Sequence, residues 1–148
     1  MNGNRRPEEV AIVVQRPGEH GPEYLVLLRS PEKLGYWHLV AGGVDWEEDP
    51  AKAAARELEE ETGLVAVPRP LGGSLSYDLA GDPETVRARF PAGTERITVW
   101  PFVADAPARW EPELDHEHVA ARWLDRGGAE ALLRYPETRE AVRRAATA

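Results

Sequence analysis

The sequence predicts an α/β layered fold, and three observations carry that expectation. β-rich runs bounded by Pro and Gly clusters recur along the chain, one strong helix interrupts them near residue 50, and a second helical stretch follows near residue 128. With 148 residues, 42% of them hydrophobic, and five Trp, the chain can bury one core. A single domain spanning 1–148 is therefore expected, and disorder of the whole chain is excluded.

After a polar, basic start, Val10 to Val14 and Tyr24 to Arg29 read as paired strands around the turn-forming stretch Arg16-Pro-Gly-Glu-His-Gly-Pro. Trp37 to Val40 is a short apolar strand, and Ala41-Gly42-Gly43 after it reads as a glycine-permitted turn. The clearest helix spans about residues 50 to 62. Asp49 suits the N-cap, Pro50 the first helical position and Gly63 the C-terminal stop, while Ala54, Leu58 and the neighbouring alanines give a narrow apolar stripe. Leu64 to Val67, Gly72 to Leu79, Thr85 to Phe90, Arg96 to Ala104 and Val119 to Leu124 read as further strands. From Gly128 to about Thr147 the chain is helical, with a break at Tyr135 and a restart at Pro136.

Composition removes several chemistries. With no cysteine there are no disulfides, thiolate metal sites, iron–sulfur clusters or Cys nucleophile. No apolar run approaches the roughly 20 residues that span a bilayer, and the start lacks a signal-peptide core, so a cytoplasmic protein without a membrane partner is expected. A net charge of −8 disfavours long nucleic acid, whose binding relies on neutralising phosphates. That charge is concentrated: residues 45 to 62 hold eight acids and two bases, which accounts for −6 of the −8.

Within that segment Glu57, Glu60 and Glu61 stand at i, i+3 and i+4, on one helix face within a turn. An acidic helix face is ordinarily solvated surface, but an all-oxygen cluster also suits a hard divalent cation such as Mg²⁺, which completes its shell with water and substrate phosphate. The surroundings favour the second reading. Gly42, Glu48, Arg56, Glu57, Leu58, Glu60, Glu61, Gly63 and Leu64 follow the spacing G-x5-E-x7-R-E-U-x-E-E-x-G-U, U being aliphatic, over residues 42–64. Glu48 and Arg56 are complementary charges able to pin the loop to the helix, Gly42 lets the preceding backbone approach a metal, Gly63 lets the chain leave the helix abruptly, and Leu58 and Leu64 face the core.

This spacing is the complete Nudix box, and the chain resembles the Nudix hydrolases. The resemblance implies an α/β/α sandwich around a mixed β-sheet and Mg²⁺-dependent hydrolysis of a nucleoside diphosphate linked to a further group, with Mn²⁺ able to replace Mg²⁺. It implies metal ligation by Glu57, Glu60 and Glu61, with the Gly42 carbonyl nearby and Glu57 the usual base. Beyond the box the chain resembles the bacterial dihydroneopterin triphosphate pyrophosphohydrolases, through Leu27-Leu28-Arg29, Tyr36-Trp37, Pro91 to Trp100 with Thr94, Glu117-His118, Trp123-Leu124-Asp125 and Arg139-Glu140-Ala141-Val142. That likeness implies Glu117 as a further metal ligand and Arg29 as a substrate contact, and Tyr135 falls where that group has a substrate-proximal Ser. Trp37, just before the box, is placed to stack on a base.

Hydrolysis of ADP-ribose or dinucleoside polyphosphates is the alternative, and a non-catalytic nucleotide-binding regulator is the alternative of another class. The expected partner is a small nucleotide or polyphosphate, bound by a monomer or homodimer. Asp115-His116-Glu117-His118 could also be read as a zinc site, although zinc wants more N or S ligands than the four histidines readily supply; loop or surface histidines fit better. Arg87, Arg89 and Arg96 are either phosphate grips or a solvated strand face.

Overall fold

The computed structural model describes residues 3–148; Met1 and Asn2 of the polar start lie outside the described residues. Its strands are β1 (Glu8–Gly18), β2 (Gly21–Arg29), β3 (Trp37–His38), β4 (Val40–Gly43), β5 (Arg69–Pro70), β6 (Leu75–Asp78), β7 (Arg96–Asp105) and β8 (His118–Leu124). Its helices are α1 (Pro50–Thr62), α2 (Glu84–Arg87), α3 (Arg126–Leu132) and α4 (Pro136–Thr147). None is long and apolar enough to cross a membrane.

β1 and β2 form the expected antiparallel hairpin, and β1 then runs parallel to β7 from Glu8↔Thr98 to Gln15↔Asp105. The other pairings are antiparallel: β4 and β1, β3 and β8 with β2, and β5 and β6 with β7. The sheet is therefore mixed. β1 is apolar at every position from Val10 to Val14 because both faces of a central strand are covered. Val10, Ile12 and Val14 pack toward α1, with Ala53, Ala54 and Leu58. Ala11 and Val13 pack on the other side, toward Ala129 and Leu133 and the α4 residues Ala141, Val142 and Ala145. The result is a helix–sheet–helix sandwich.

α1 begins and ends as the residue chemistry dictates. The Asp49 carboxylate accepts from the Ala51 N–H at 2.8 Å, Pro50 opens the helix, and Gly63 closes it at φ 80° with its N–H on the Glu59 carbonyl. Thr62 is buried; its hydroxyl donates to the Leu58 carbonyl at 2.6 Å and accepts from the Leu64 N–H at 3.2 Å, tying the helix end to the outgoing chain. Small alanines at 53 and 54 let α1 lie close on β1 and β4, and that proximity sets how deeply the glutamates of α1 sit.

The structure differs from expectation in three stretches. Ala41-Gly42-Gly43 is not a turn but part of β4, paired with β1 as Ala11↔Ala41, Val10↔Gly42 and Glu9↔Gly43. These glycines supply room: a Cβ on Gly42 would lie 2.2 Å from the Glu57 carboxyl carbon, and one on Gly43 would lie 2.8 Å from the Arg5 guanidinium. Leu64 to Val67 is not a strand. Its alternation is real, with Leu64 inward and Val65 and Val67 outward, but no neighbouring strand pairs with it. Thr85 to Phe90, expected as a strand, overlaps α2, because Pro83 caps a helical turn and its carbonyl accepts from the Val86 and Arg87 N–H groups.

Because Gly63 occupies the left-handed region and a Cβ there would meet only Glu113 at 3.6 Å, Gly63→Ala acts through backbone strain and not through a clash. A loss of about 1 kcal/mol in urea-unfolding free energy is expected, with no change in helical circular dichroism.

Candidate functional site

One face of α1 opens onto a cleft of about 770 Å³ that is also lined by β4, the 32–36 loop, the 82–90 segment, Glu117 and the start of α4. The helical spacing brings Glu57, Glu60 and Glu61 to this cleft, but at graded depth. Their side chains are 13%, 57% and 4% exposed, because Glu61 continues the buried Ala54–Leu58 stripe while Glu60 lies at its outer edge.

Glu61 accepts from the Ala41 N–H at 3.4 Å and lies 3.7 Å from His118 Nε2. Burial, then the neighbouring Glu57 carboxylate, pushes its pKa up; burial likewise raises Glu57. Two adjacent carboxylates share this poorly solvated pocket, and Arg56 pairs with only one of them, Glu57. An absent Cβ at Gly42 makes the space that the Glu57 carboxylate fills.

Arg56 organises the neighbourhood. Its Nε and Nη2 donate to the two Glu48 oxygens, each at 2.8 Å, Nη2 also donates to the Gly43 carbonyl at 3.0 Å, and Nη1 donates to Glu57 at 2.9 Å. Loop 44–49, β4 and α1 are thereby joined through one planar group. These bonds hold Glu48 below the usual carboxylate range and raise Arg56. Arg6 adds a clasp from the N-terminal side, donating to the carbonyls of Asp45, Trp46 and Glu48 at 3.0, 3.3 and 3.0 Å.

The donor set suits a divalent cation: all oxygen, anionic and partly buried, with more carboxylates than the neighbouring Arg56 and Lys33 can neutralise. Among the described residues, however, no three acidic or imidazole groups stand together as a finished cage. Glu57 and Glu60 turn toward Arg56, at 2.9 and 3.5 Å, and Glu117 turns toward Lys33 at 3.5 Å.

Arg29, Tyr135 and Glu117 all line the cleft, as does Gly42. Trp37 does not. Strand residues alternate between faces, so His38 turns to the cleft while Trp37 packs with the core beneath α3 and α4, and Tyr36 lines the cleft in its place. Of the three arginines considered as phosphate grips, Arg89 lines the cleft, Arg87 pairs with Glu84 at 2.6 Å, and Arg96 bonds Ser76 at 2.9 Å away from it. The histidines of the Asp115–His118 stretch also separate. His116 is exposed, but His118 is buried, with Nδ1 2.8 Å from Asp115 and Nε2 toward Glu61, and is no surface residue.

Sequence reasoning named Arg29 and Tyr135 but missed the aromatic cluster that they form with Tyr36 and His38. Tyr36, His38 and Tyr135 meet edge to face at centroid distances of 5.1 to 6.2 Å, with Arg29 5.5 Å over the Tyr36 ring and Arg134 5.6 Å over both tyrosines. Arg5, Glu9, Tyr77, Asp82 and Glu137 line the same cleft. The Tyr36-x-His38 alternation was a usable signal; the assembly of Glu9, Asp82 and Glu137 from three distant segments left none.

The chain matches the NUDIX domain family over residues 5–145 and belongs to it. It is 35% identical to the octanoyltransferase of Myxococcus xanthus over 144 residues, which are 95% of this chain and 36% of that protein, so the chain spans about a third of that relative's length. It is 24% identical to the dihydroneopterin triphosphate diphosphatase of Escherichia coli over 143 residues, 93% of this chain and 91% of that one. The solved structure of the E. coli dihydroneopterin triphosphate pyrophosphohydrolase superposes with a TM-score of 0.79 at 24% identity, covering 96% of each chain, which establishes the shared fold.

His38 yields a pH prediction. A carbonyl only accepts, so the 2.9 Å contact of Nδ1 with the Leu39 carbonyl means that Nδ1 carries the proton. Burial lowers the His38 pKa to about 4, and the nearby Arg29 charge works in the same direction. The unfolded chain, near the ordinary histidine value of about 6.5, takes up this proton first, so folding stability rises with pH between about 4 and 6.5. Urea unfolding at pH 5 and pH 7 should show a smaller acid-induced loss for His38→Gln than for the unaltered chain. Equal losses would remove His38 from the account.

Proposed function

We propose that the chain is a divalent-cation-dependent pyrophosphohydrolase acting on a small phosphoanhydride, a nucleoside di- or triphosphate derivative or a compound of the dihydroneopterin triphosphate type. The observation that carries this reading is the Glu57–Glu61 pair: two adjacent carboxylates of low exposure on a helix face, opening on a cleft, with Arg56 paired to Glu57 and no lysine or arginine paired to Glu61 among the described residues. A carboxylate pair that costs stability without a cation is what a Mg²⁺ ligand set looks like before it is loaded.

Glu57, Glu60 and Glu61 would hold the cation, with Glu117 contributing from the opposite wall after release from Lys33 and the Gly42 backbone close to Glu57. When bound, Mg²⁺ or Mn²⁺ supplies charge neutralisation on phosphate oxygens. Glu57 is placed to accept the proton of the attacking water. Arg56 keeps Glu57 in position and Glu48 keeps Arg56 in position. Arg29 and Tyr135 would contact the substrate beyond its phosphates, the Arg29 guanidinium by charge-assisted hydrogen bonds. The −6 segment and the affinity for a polyanionic substrate are thus compatible, since the same acids recruit the cation that offsets both.

A phosphate-release panel with Mg²⁺ over dihydroneopterin triphosphate, the nucleoside triphosphates, ADP-ribose and a dinucleoside polyphosphate tests the activity and ranks substrates. Glu57→Gln and Glu61→Gln should each lower kcat by about 10²-fold or more without lowering the unfolding midpoint. Full Mg²⁺-dependent turnover in either variant would overturn its assignment. Gly42→Ala should push the Glu57 carboxylate aside and cost about 10²-fold in kcat/KM, since an ångström of misplacement at a reacting group has that effect.

A further inference from the structure

The cleft continues past the carboxylate helix into an inner chamber that hydrolysis itself does not need. It is lined by the aromatic group of Tyr36, His38 and Tyr135 and by Glu9, Tyr77, Asp82 and Glu137. Tyr77, Asp82, Tyr135 and Glu137 also border an adjoining cleft.

The polar groups of this chamber fall into two kinds. Glu9 is committed: it accepts from the Tyr77 hydroxyl at 2.8 Å and pairs with Arg5 at 3.3 Å. Among the described residues, Asp82 and Glu137 make no side-chain hydrogen bond to another side chain and no ion pair, although both are only partly exposed. Burial raises the proton affinity of each, and the Glu9 and Asp82 charges act on Glu137 in the same direction, which puts the three acids in one neighbourhood. Arg29 spends Nη1 on the Tyr36 hydroxyl at 3.3 Å and leaves Nε buried with no partner at all. Buried polar groups are nearly always satisfied, so this orphaned donor is an independent sign that an acceptor belongs here.

Flat aromatic walls, free carboxylates that only accept, and a nearby guanidinium lacking an acceptor describe a complementary ring. Such a ring is flat, has adjacent N–H donors on one edge and carries a carbonyl oxygen beside them. The fused 2-amino-4-oxopyrimidine of guanine and of pterins has this pattern, whereas adenine presents a ring-nitrogen acceptor where the carboxylates need a donor.

We propose that the inner chamber is a ring-recognition subsite selective for the 2-amino-4-oxopyrimidine edge, with Asp82 and Glu137 accepting its N–H groups, Arg29 donating toward its oxo group, and Tyr36 and Tyr135 flanking it. The subsite deepens the hydrolase reading, on which it rests for the polyphosphate end of the substrate. A lone metal site is a poorer occupant, because the aromatic wall and the arginines would contribute nothing to it.

The test uses ligands without phosphate and the full chain without metal, so that it is independent of catalysis. Binding of guanosine, inosine, adenosine and 7,8-dihydroneopterin is measured by calorimetry. Guanosine and dihydroneopterin should bind at least about 10-fold more tightly than adenosine, with inosine, which lacks the 2-amino group, in between. Whichever of the first two binds more tightly identifies the source of the ring, and either order supports the subsite. Glu137→Gln and Asp82→Asn should each weaken guanosine binding by about 5- to 30-fold and leave the unfolding midpoint in place. Equal affinity for guanosine and adenosine, no binding of guanosine and dihydroneopterin at millimolar concentration, or unchanged guanosine binding in both variants would overturn the proposal. Active hydrolysis without ring discrimination would sink this inference alone, and ring discrimination in a chain that hydrolyses nothing would sink only the catalytic reading.

Discussion

The Arg56 guanidinium is the interaction on which the site depends. Its donors reach Glu48 in the loop, the Gly43 carbonyl in β4, and Glu57 on its own helix. Three segments are thus fixed by a planar group whose fork matches a carboxylate. A lysine could neutralise the same charges but could not hold the three directions at once. Because the pairs are only partly exposed, solvent screens them less than ordinary surface ion pairs, although their worth lies more in geometry than in stability.

That geometry places carboxylates where their charge is costly. Glu61 extends the apolar stripe of Ala54 and Leu58 into the core, and Glu57 shares its pocket. The helix therefore carries a built-in demand for a cation at its inner end, while Asp49, Thr62 and Gly63 secure its two ends. Helix capping, sheet packing and cation demand are separate physical effects here, and each is needed. Without the caps and alanines α1 would not sit tightly on β4, and without that contact the glutamates would be ordinary surface acids.

The cleft divides the chemistry between its two ends. The α1 end is suited to phosphate and metal, and the inner end, with Arg29 and Tyr135, to a flat polar ring. Burial gives both ends their character, by raising the proton affinity of acids in one place and holding His38 neutral in another.

The sequence by itself determined the α/β class, the exact span of α1, the hairpin, the helical break at Tyr135 and the box residues, since each is written in local chemistry: caps, period-2 and period-3.6 patterns, and fixed spacings on one helix. It misread residues 41–43, 64–67 and 85–90, where local propensity competes with partners elsewhere in the chain. Glycines that look like a turn are strand residues making room for Glu57 and Arg5, an alternating run finds no strand to pair with, and a β-branched run after Pro83 closes into a helical turn. Only the tertiary structure decided which face of β3 meets the cleft, exchanging Trp37 for Tyr36 and His38. It alone drew His118 against Glu61 and gathered Glu9, Asp82 and Glu137 into one chamber. Those three acids come from β1, the loop before α2 and the first turn of α4, and residues so far apart in sequence become neighbours only when the sheet and its two helix layers close.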